Sequence, residues 1–196
     1  MKSGFRVMRR MADRGRIWEQ TWVKGTAVQT ASESEKTSGL PRLYTLQIFL
    51  TDGPVTKKFS GKEIFRTIQI RGEQTLKELH KAIFKAFDRW EEHLYEFNFG
   101  KGPYDREGPR YTLASATKDF MTDEVTAGDV ATTTLDSLGL KVGRAFGYWF
   151  DFGDDWRHEI RVEAIGDPPP KGGRFPKMIG SVGKSPPQYA DPEELE

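Results

Sequence analysis

Residues 75–87 read TLKELHKAIFKAF, and this stretch decides the fold class because it predicts the clearest helix of the chain. Thr75 is a suitable N-cap, and Glu78, three residues later, completes a capping box. Residues at spacings of three and four form one apolar stripe along the helix; they are Leu76, Leu79, His80, Ile83, Phe84 and Phe87. We therefore expect one face of this helix to pack across a sheet.

Strand patterns flank the helix on both sides. Upstream, apolar residues occupy every second position from Tyr44 to Leu50, and a second strand is predicted over Ile64 to Ile70. Downstream, strands are predicted over Leu94 to Phe99, Phe146 to Phe152 and His158 to Ala164. This order predicts an α+β domain. A hairpin that feeds one helix packed across a mixed sheet further indicates the β-grasp, ubiquitin-like arrangement.

Composition divides the chain into three segments. Residues 1–40 hold eight Lys or Arg against four Asp or Glu, and residues 30–39 are small and polar, so we expect a basic, disordered tail. Residues 41–166 carry the helix and strand patterns of the α+β domain. Residues 167–196 are rich in proline and glycine, and we expect a C-terminal extension that packs loosely.

The absence of some residue types and patterns excludes several classes of protein. The chain has no cysteine, which rules out disulfides, thiolate nucleophiles and cysteine-ligated metals. Its net charge of +1 creates no overall basic field. No apolar run approaches the ~20 residues of a membrane span, and the arginine-containing start lacks the apolar core of a secretory signal. We expect a cytoplasmic protein without a membrane partner.

Two segments carry a family resemblance. One is TLKELH at 75–80, followed by Trp90, His93 and Glu96; the other is FGDDWRHEI at 152–160, preceded by Tyr148. Together with YTLQI at 44–48, they make residues 43–165 similar to the plasmid pRiA4b ORF-three-like family. The resemblance implies an association with plasmids and mobile elements, and no established activity.

The resemblance also has a point of departure near the C-terminus. Family members continue into a stretch with cysteines, prolines and acidic residues, whereas this chain reads GKSPPQYAD at 183–191. The cysteines are missing, and Gln188 and Tyr189 stand where acidic residues are common. Any function that the family places in this segment is therefore in doubt for this chain.

The three histidines, His80, His93 and His158, each fall in phase with apolar residues of a predicted element. One interpretation is structural, because a buried imidazole needs a hydrogen-bond partner at the edge of the core. The other is a divalent metal held by these imidazoles and a carboxylate, with a bound water activated for hydrolysis. No short-spaced pair such as His-x-x-x-His supports the metal, so we expect no cofactor and keep a divalent metal as the alternative.

Asp154 and Asp155 stand between two predicted strands, next to Trp156. They are suited either to acid–base chemistry as paired carboxylates or to closing a hairpin turn. Trp156 is expected to pack over this loop, with stacking on a nucleic-acid base as the alternative. Trp90 is expected to close the end of the helix against the sheet.

Three functions follow from the sequence, and none is tied to a known catalytic motif, since no nucleophile elbow, phosphate loop or Rossmann glycine pattern occurs. The first is an interaction domain that binds a protein partner. The second is a metal-dependent hydrolase or nuclease-like enzyme. The third is a nucleic-acid-binding accessory protein that uses residues 1–40. The candidate functional cluster comprises His80, His93, Asp154, Asp155, Trp156 and His158.

Overall fold

A computed structural model describes residues 41–103, 105, 107–113, 127–167 and 173–191, which belong to one compact unit, residues 39–196. The expectations for residues 1–40 fall outside the described residues. The described elements, in chain order, are β1 (Leu43–Asp52), β2 (Phe65–Arg71), α1 (Leu76–Ala86), β3 (Tyr95–Asn98), β4 (Arg110–Thr112), β5 (Gly128–Asp129), a 3-10 turn (Asp136–Leu138), β6 (Ala145–Phe150), β7 (Trp156–Gly166) and β8 (Lys177–Val182).

Within the described residues, eight strands form one open sheet in the order β5-β4-β3-β6-β7-β1-β2-β8. Every neighbouring pair is antiparallel except β4 and β5, so the sheet is mixed. The predicted α+β class is confirmed. The β-grasp topology is not confirmed, because the sheet extends beyond the five predicted strands and β1 runs antiparallel to both of its neighbours.

The capping box and the apolar stripe of α1 are confirmed. Thr75 Oγ1 accepts from the Glu78 backbone N–H at 3.3 Å, and the Glu78 carboxylate accepts from the Thr75 N–H at 2.8 Å. The buried side chains of α1 are Leu76, Leu79, His80 and Ile83. They pack in a core that includes the inward residues of β1, β6 and β7. No helix in the described part of the chain is long and apolar enough to cross a membrane.

The C-terminal segment corrects the expectation of loose packing for its described part, residues 173–191. β8 pairs with β2 and forms the edge of the sheet. Beyond β8, Ser185 and Gln188 are buried, and the Arg66 guanidinium donates to Ser185 Oγ at 2.7 Å. Proline and glycine content did not reveal this packing because the stabilising partners lie more than ninety residues away in the chain.

Candidate functional site

The β6–β7 hairpin is closed by Asp151. Asp151 has a positive φ of 56°, a conformation that Asp tolerates better than most residues. Its Oδ1 accepts from the backbone N–H of Gly153 at 3.2 Å and of Asp154 at 3.3 Å. Asp155 pairs with Arg157 at 2.8 Å. A hairpin loop lies where the sequence predicted one, but its closing carboxylate is Asp151, three residues before the predicted pair Asp154 and Asp155.

Trp156 lies at the inner side of this hairpin and is fully buried. Its ring packs so closely on Gly53 that a Cβ at that position would overlap with the ring. The guanidinium of Arg89 lies 3.7 Å from the ring centroid, and its Nη1 donates to the Pro186 carbonyl at 3.2 Å. Burial lowers the pKa of Arg89 to about 10. Trp156 is therefore a core residue under the loop.

His80 and His158 lie in the core on either side of Tyr148. His80 stacks on Tyr95 with 3.6 Å between ring centroids, and its Nδ1 lies 2.8 Å from the Tyr148 hydroxyl. His158 packs edge-on against Phe87 and tilted against Tyr148. Burial lowers the pKa of each histidine to about 3, with a further contribution from nearby cations, so both imidazoles are neutral.

His158 differs from His80 in its hydrogen bonding. Neither of its ring nitrogens has a hydrogen-bond partner of good geometry among the described residues. The backbone of Tyr148 is close enough to raise the pKa of His158 slightly, but burial and the Arg89 charge outweigh that contact. An imidazole held in this way packs as a flat, neutral side chain, and nothing in its surroundings favours a charged form.

His93 lies apart from the other two histidines, at the surface. Its Nε2 is 2.8 Å from the Tyr189 hydroxyl, 3.5 Å from Asp151 Oδ2 and 4.0 Å from Glu91 Oε1. The loop after α1, the β6–β7 hairpin and the C-terminal segment meet at this imidazole. Of the three histidines in the predicted cluster, His93 is the one that reaches solvent and also lies close to carboxylates.

The predicted cluster is therefore divided between core and surface. His93 and Asp154 lie near each other, whereas His80, His158 and Trp156 are core residues and Asp155 is engaged with Arg157. In the described ranges, no three His, Asp or Glu side chains form a group that could hold a metal ion. The three-histidine metal site stays a prediction, and this arrangement lends it no support.

The position of Trp90 contradicts the expectation that it closes the helix end. Its side chain is 68% exposed. Gln188 instead holds the loop after the helix: its Oε1 accepts from the backbone N–H of Trp90 at 2.9 Å and of Glu91 at 3.1 Å. Gln188 Nε2 also donates to the Glu91 carbonyl at 2.8 Å. Because these bonds hold the backbone from the inside, the indole of Trp90 projects outward.

Tyr189 completes an exposed cluster with Trp90. The two rings meet edge to face, with centroids 5.5 Å apart and an interplanar angle of 83°, and Tyr189 is 40% exposed. We call this cluster the loop-end surface and define it by six residues: Trp90, Glu91, His93, Asp151, Asp154 and Tyr189. Asp151 is the buried member of the group and lies beneath the others. Its side chains come from three segments of the chain, residues 90–93, residues 151–154 and Tyr189, which are far apart in sequence, so no local motif revealed it.

Carboxylates set the electrostatics of the loop-end surface. Desolvation raises the pKa of the Tyr189 phenol to about 12, together with the hydrogen bond and charge of Glu91 and the charges of Asp151 and Asp154. The pKa of Asp154 is raised by desolvation and by the nearby Asp151. Desolvation is the larger cause of both pKa shifts, and the neighbouring carboxylates add to it, so several negative charges lie near the exposed aromatic rings.

The chain is similar to one curated protein in sequence and to one solved structure in fold. The chain is 27% identical over 137 residues to the uncharacterized protein y4hQ of Sinorhizobium fredii (strain NBRC 101917 / NGR234), and the match covers 64% of this chain and 58% of that protein. The chain thus spans less than two thirds of the length of this curated relative. The fold is similar to that of the crystal structure of MM3350, a protein of unknown function from Methanosarcina mazei Go1, with a TM-score of 0.56. That match has 23% identity and covers 76% of this chain and 74% of the other.

A family model also matches this chain. It describes the Plasmid pRiA4b ORF-3-like proteins and matches residues 54–191, well over half of the chain. The matched range includes α1, both strands of the β6–β7 hairpin and all six residues of the loop-end surface. On this match, the chain belongs to the plasmid pRiA4b ORF-3-like family, whose function is unknown.

Proposed function

We propose that this chain is a non-catalytic interaction domain that binds an intracellular protein partner through the loop-end surface. The exposure of Trp90 is the observation that carries the proposal. Its indole is 68% exposed although the backbone beneath it is fixed by three hydrogen bonds to Gln188. Exposed tryptophan and tyrosine side chains are enriched at the centres of protein interfaces, where each buries a large area at low entropic cost.

The ordered backbone beneath the loop-end surface also favours a binding role. Tyr189 is oriented by its contact with His93, and the preceding Pro186 and Gln188 are buried and bonded to the loop after α1. A partner therefore meets side chains whose backbone is already ordered. Such preorganisation reduces the conformational entropy that is lost on binding.

The proposal also includes the genetic origin of this partner. The family takes its name from a plasmid reading frame, so we propose that the partner is a protein of a plasmid or another mobile element. We also keep the β-grasp arrangement as the fold-level part of the proposal, since a helix across one face of a sheet leaves the strand-end loops available for binding.

The test is a capture experiment with matched variants of the full chain. Tagged wild type, Trp90→Ala and Met178→Ala are used as baits in extracts of cells that produce the chain, and captured proteins are quantified by mass spectrometry. Met178 is the control because it is 51% exposed on β8, which β1 and β2 separate from the β6–β7 hairpin in the sheet. We expect a partner that wild type and Met178→Ala retain and Trp90→Ala loses about tenfold or more. Equal retention by all three folded baits would reject this surface.

A further inference from the structure

We propose that the loop-end surface recognises a cationic side chain, lysine or arginine, from a basic segment of the partner protein. This inference rests on the proposed function and adds the chemistry of the bound group. The cation would lie against the faces of Trp90 and Tyr189, with carboxylates around it.

The two aromatic rings provide the first part of the argument. Their edge-to-face contact leaves ring surface of both Trp90 and Tyr189 open to solvent. Elsewhere in the described residues, the chain places an Arg or Lys over an aromatic ring repeatedly, as with Arg89 on Trp156 and Arg157 on Trp149. No such pair among the described residues involves Trp90 or Tyr189. The exposed faces of these two rings are therefore available to a cation from outside.

Charge provides the second part of the argument. Segments 88–93 and 151–155 supply five of the six residues of the surface and contain six acidic residues and one arginine, and three of these acidic residues belong to the surface itself. That arginine, Arg89, is buried on Trp156 and bonded to a backbone carbonyl, so it does not reach outward. Asp155 is paired with Arg157, while Glu91, Asp151 and Asp154 all act on the Tyr189 hydroxyl. The resulting negative field attracts a cation and repels a phosphate backbone.

The same field identifies the kind of partner. A nucleic acid would bring its phosphates against Glu91 and Asp154, so the surface disfavours it. An apolar partner would bury these carboxylates without compensation. A lysine or arginine in a basic protein segment satisfies both the ring faces and the carboxylates, and the negative charge steers such a segment towards the surface.

The test uses the full chain and three synthetic peptides of equal length, with repeats of Gly-Lys-Gly-Arg, Gly-Gln or Gly-Glu. Binding is measured by isothermal titration calorimetry. We expect the basic peptide to bind, its affinity to fall with added salt, and the neutral and acidic peptides to bind at least about tenfold more weakly. Equal binding of the basic and neutral peptides would overturn the proposal.

Variants locate the binding. Trp90→Ala is expected to weaken the basic peptide about tenfold, whereas Trp90→Phe, which keeps a ring face, loses less. Asp154→Asn and Glu91→Gln are each expected to weaken it about threefold, and Met178→Ala serves as the unaffected control. Asp151 is left intact because it closes the hairpin. If Trp90→Ala leaves the affinity for the basic peptide unchanged, the cation binds elsewhere and the assignment is overturned.

Two further results keep this inference separate from the proposed function. If Trp90 is required for partner capture but no basic peptide binds, the cationic chemistry is wrong and the interaction surface stands. The second concerns Arg9 and Arg10 of the chain's own basic segment. Unchanged peptide binding in the full-chain variant Arg9→Gln/Arg10→Gln supports an external partner. A gain of about threefold or more would assign the surface to the chain's own arginines and overturn that part of the proposal.

Discussion

The core around Tyr148 and the loop-end surface contain the same residue types in different roles. Each contains histidine, tyrosine and an adjacent tryptophan: His80, His158, Tyr148 and Trp156 inside, and His93, Tyr189 and Trp90 outside. Inside, rings stack and tilt against one another, and burial keeps the imidazoles neutral. Outside, the rings face solvent and carboxylates. Residue type alone therefore does not identify a functional site; burial and charge around the residue do.

This comparison is tested most strongly by removing each tryptophan in turn. Trp156 is fully buried and contacts Gly53 and Arg89, so Trp156→Ala is expected to cost about 3–5 kcal/mol of unfolding free energy. Trp90→Ala removes an exposed side chain and should change stability by no more than about 0.5 kcal/mol. Urea denaturation followed by circular dichroism measures both values.

In the peptide-binding assay, Trp90 is the tryptophan whose removal should have an effect. Trp90→Ala should bind the basic peptide about tenfold more weakly while it keeps its stability. A Trp90→Ala variant that is destabilised as much as Trp156→Ala would show that the indole stabilises the fold, and the contrast between the two regions would fail.

The second prediction uses acid to test the buried histidines. The pKa of His80 and of His158 is about 3 in the folded chain, against ~6.5 when unfolded. Above about pH 7 neither state is protonated, so these residues add no pH dependence. As the pH falls below about 6.5, the unfolded chain binds protons that the folded chain excludes, and stability drops. Between pH 7 and 5.5 the pair should cost about 2–3 kcal/mol.

Urea denaturation at several pH values tests this slope, with His80→Leu as the matched variant. His80→Leu has one buried imidazole fewer, so its slope should be about half that of wild type, although its stability at pH 7 is lower. Imidazole resonances of His80 and His158 should also stay constant from pH 7 to pH 5. A flat stability profile in wild type would contradict the assignment of neutral, buried histidines.

The sequence predicted the elements that carry local signals. The alternation in β1 and β7 and the Thr75–Glu78 capping box specify their structures through neighbours in the chain, and these elements are where the patterns placed them. β4 and β5 have three and two residues, too few for a pattern. β8 was missed because its strand is stabilised by β2, more than a hundred residues away.

The candidate site was harder to predict, for the same physical reason. His93 and Asp154 were singled out, but their phase with apolar neighbours did not distinguish a core position from a surface one. Tyr189 and Gln188 stood out only because they replace residues common in similar proteins. Their contacts with His93 and with the loop after α1 span nearly a hundred residues. Long-range contacts of this kind leave no periodicity to detect.

The third prediction concerns the hydroxyl of Tyr148. It lies 2.8 Å from His80 Nδ1 in a site where both side chains are buried. Tyr148→Phe keeps the ring packing against Phe97 and His158 but leaves the imidazole nitrogen without its partner. We expect a loss of about 1–3 kcal/mol in unfolding free energy. A loss below about 0.5 kcal/mol would mean that water reaches His80, contrary to its burial.

The smallest effect is expected from the equivalent change at the surface. Tyr189→Phe removes the hydroxyl that lies 2.8 Å from His93 Nε2, but both groups are accessible to water, which replaces the lost hydrogen bond. The free energy of unfolding should therefore change by no more than about 0.5 kcal/mol, while the nitrogen resonance of His93 Nε2 moves. Since the ring is retained, basic-peptide binding should stay within about twofold of wild type. A large loss of stability would show that the Tyr189 hydroxyl stabilises the fold. A large loss of binding would show that the hydroxyl itself contacts the peptide.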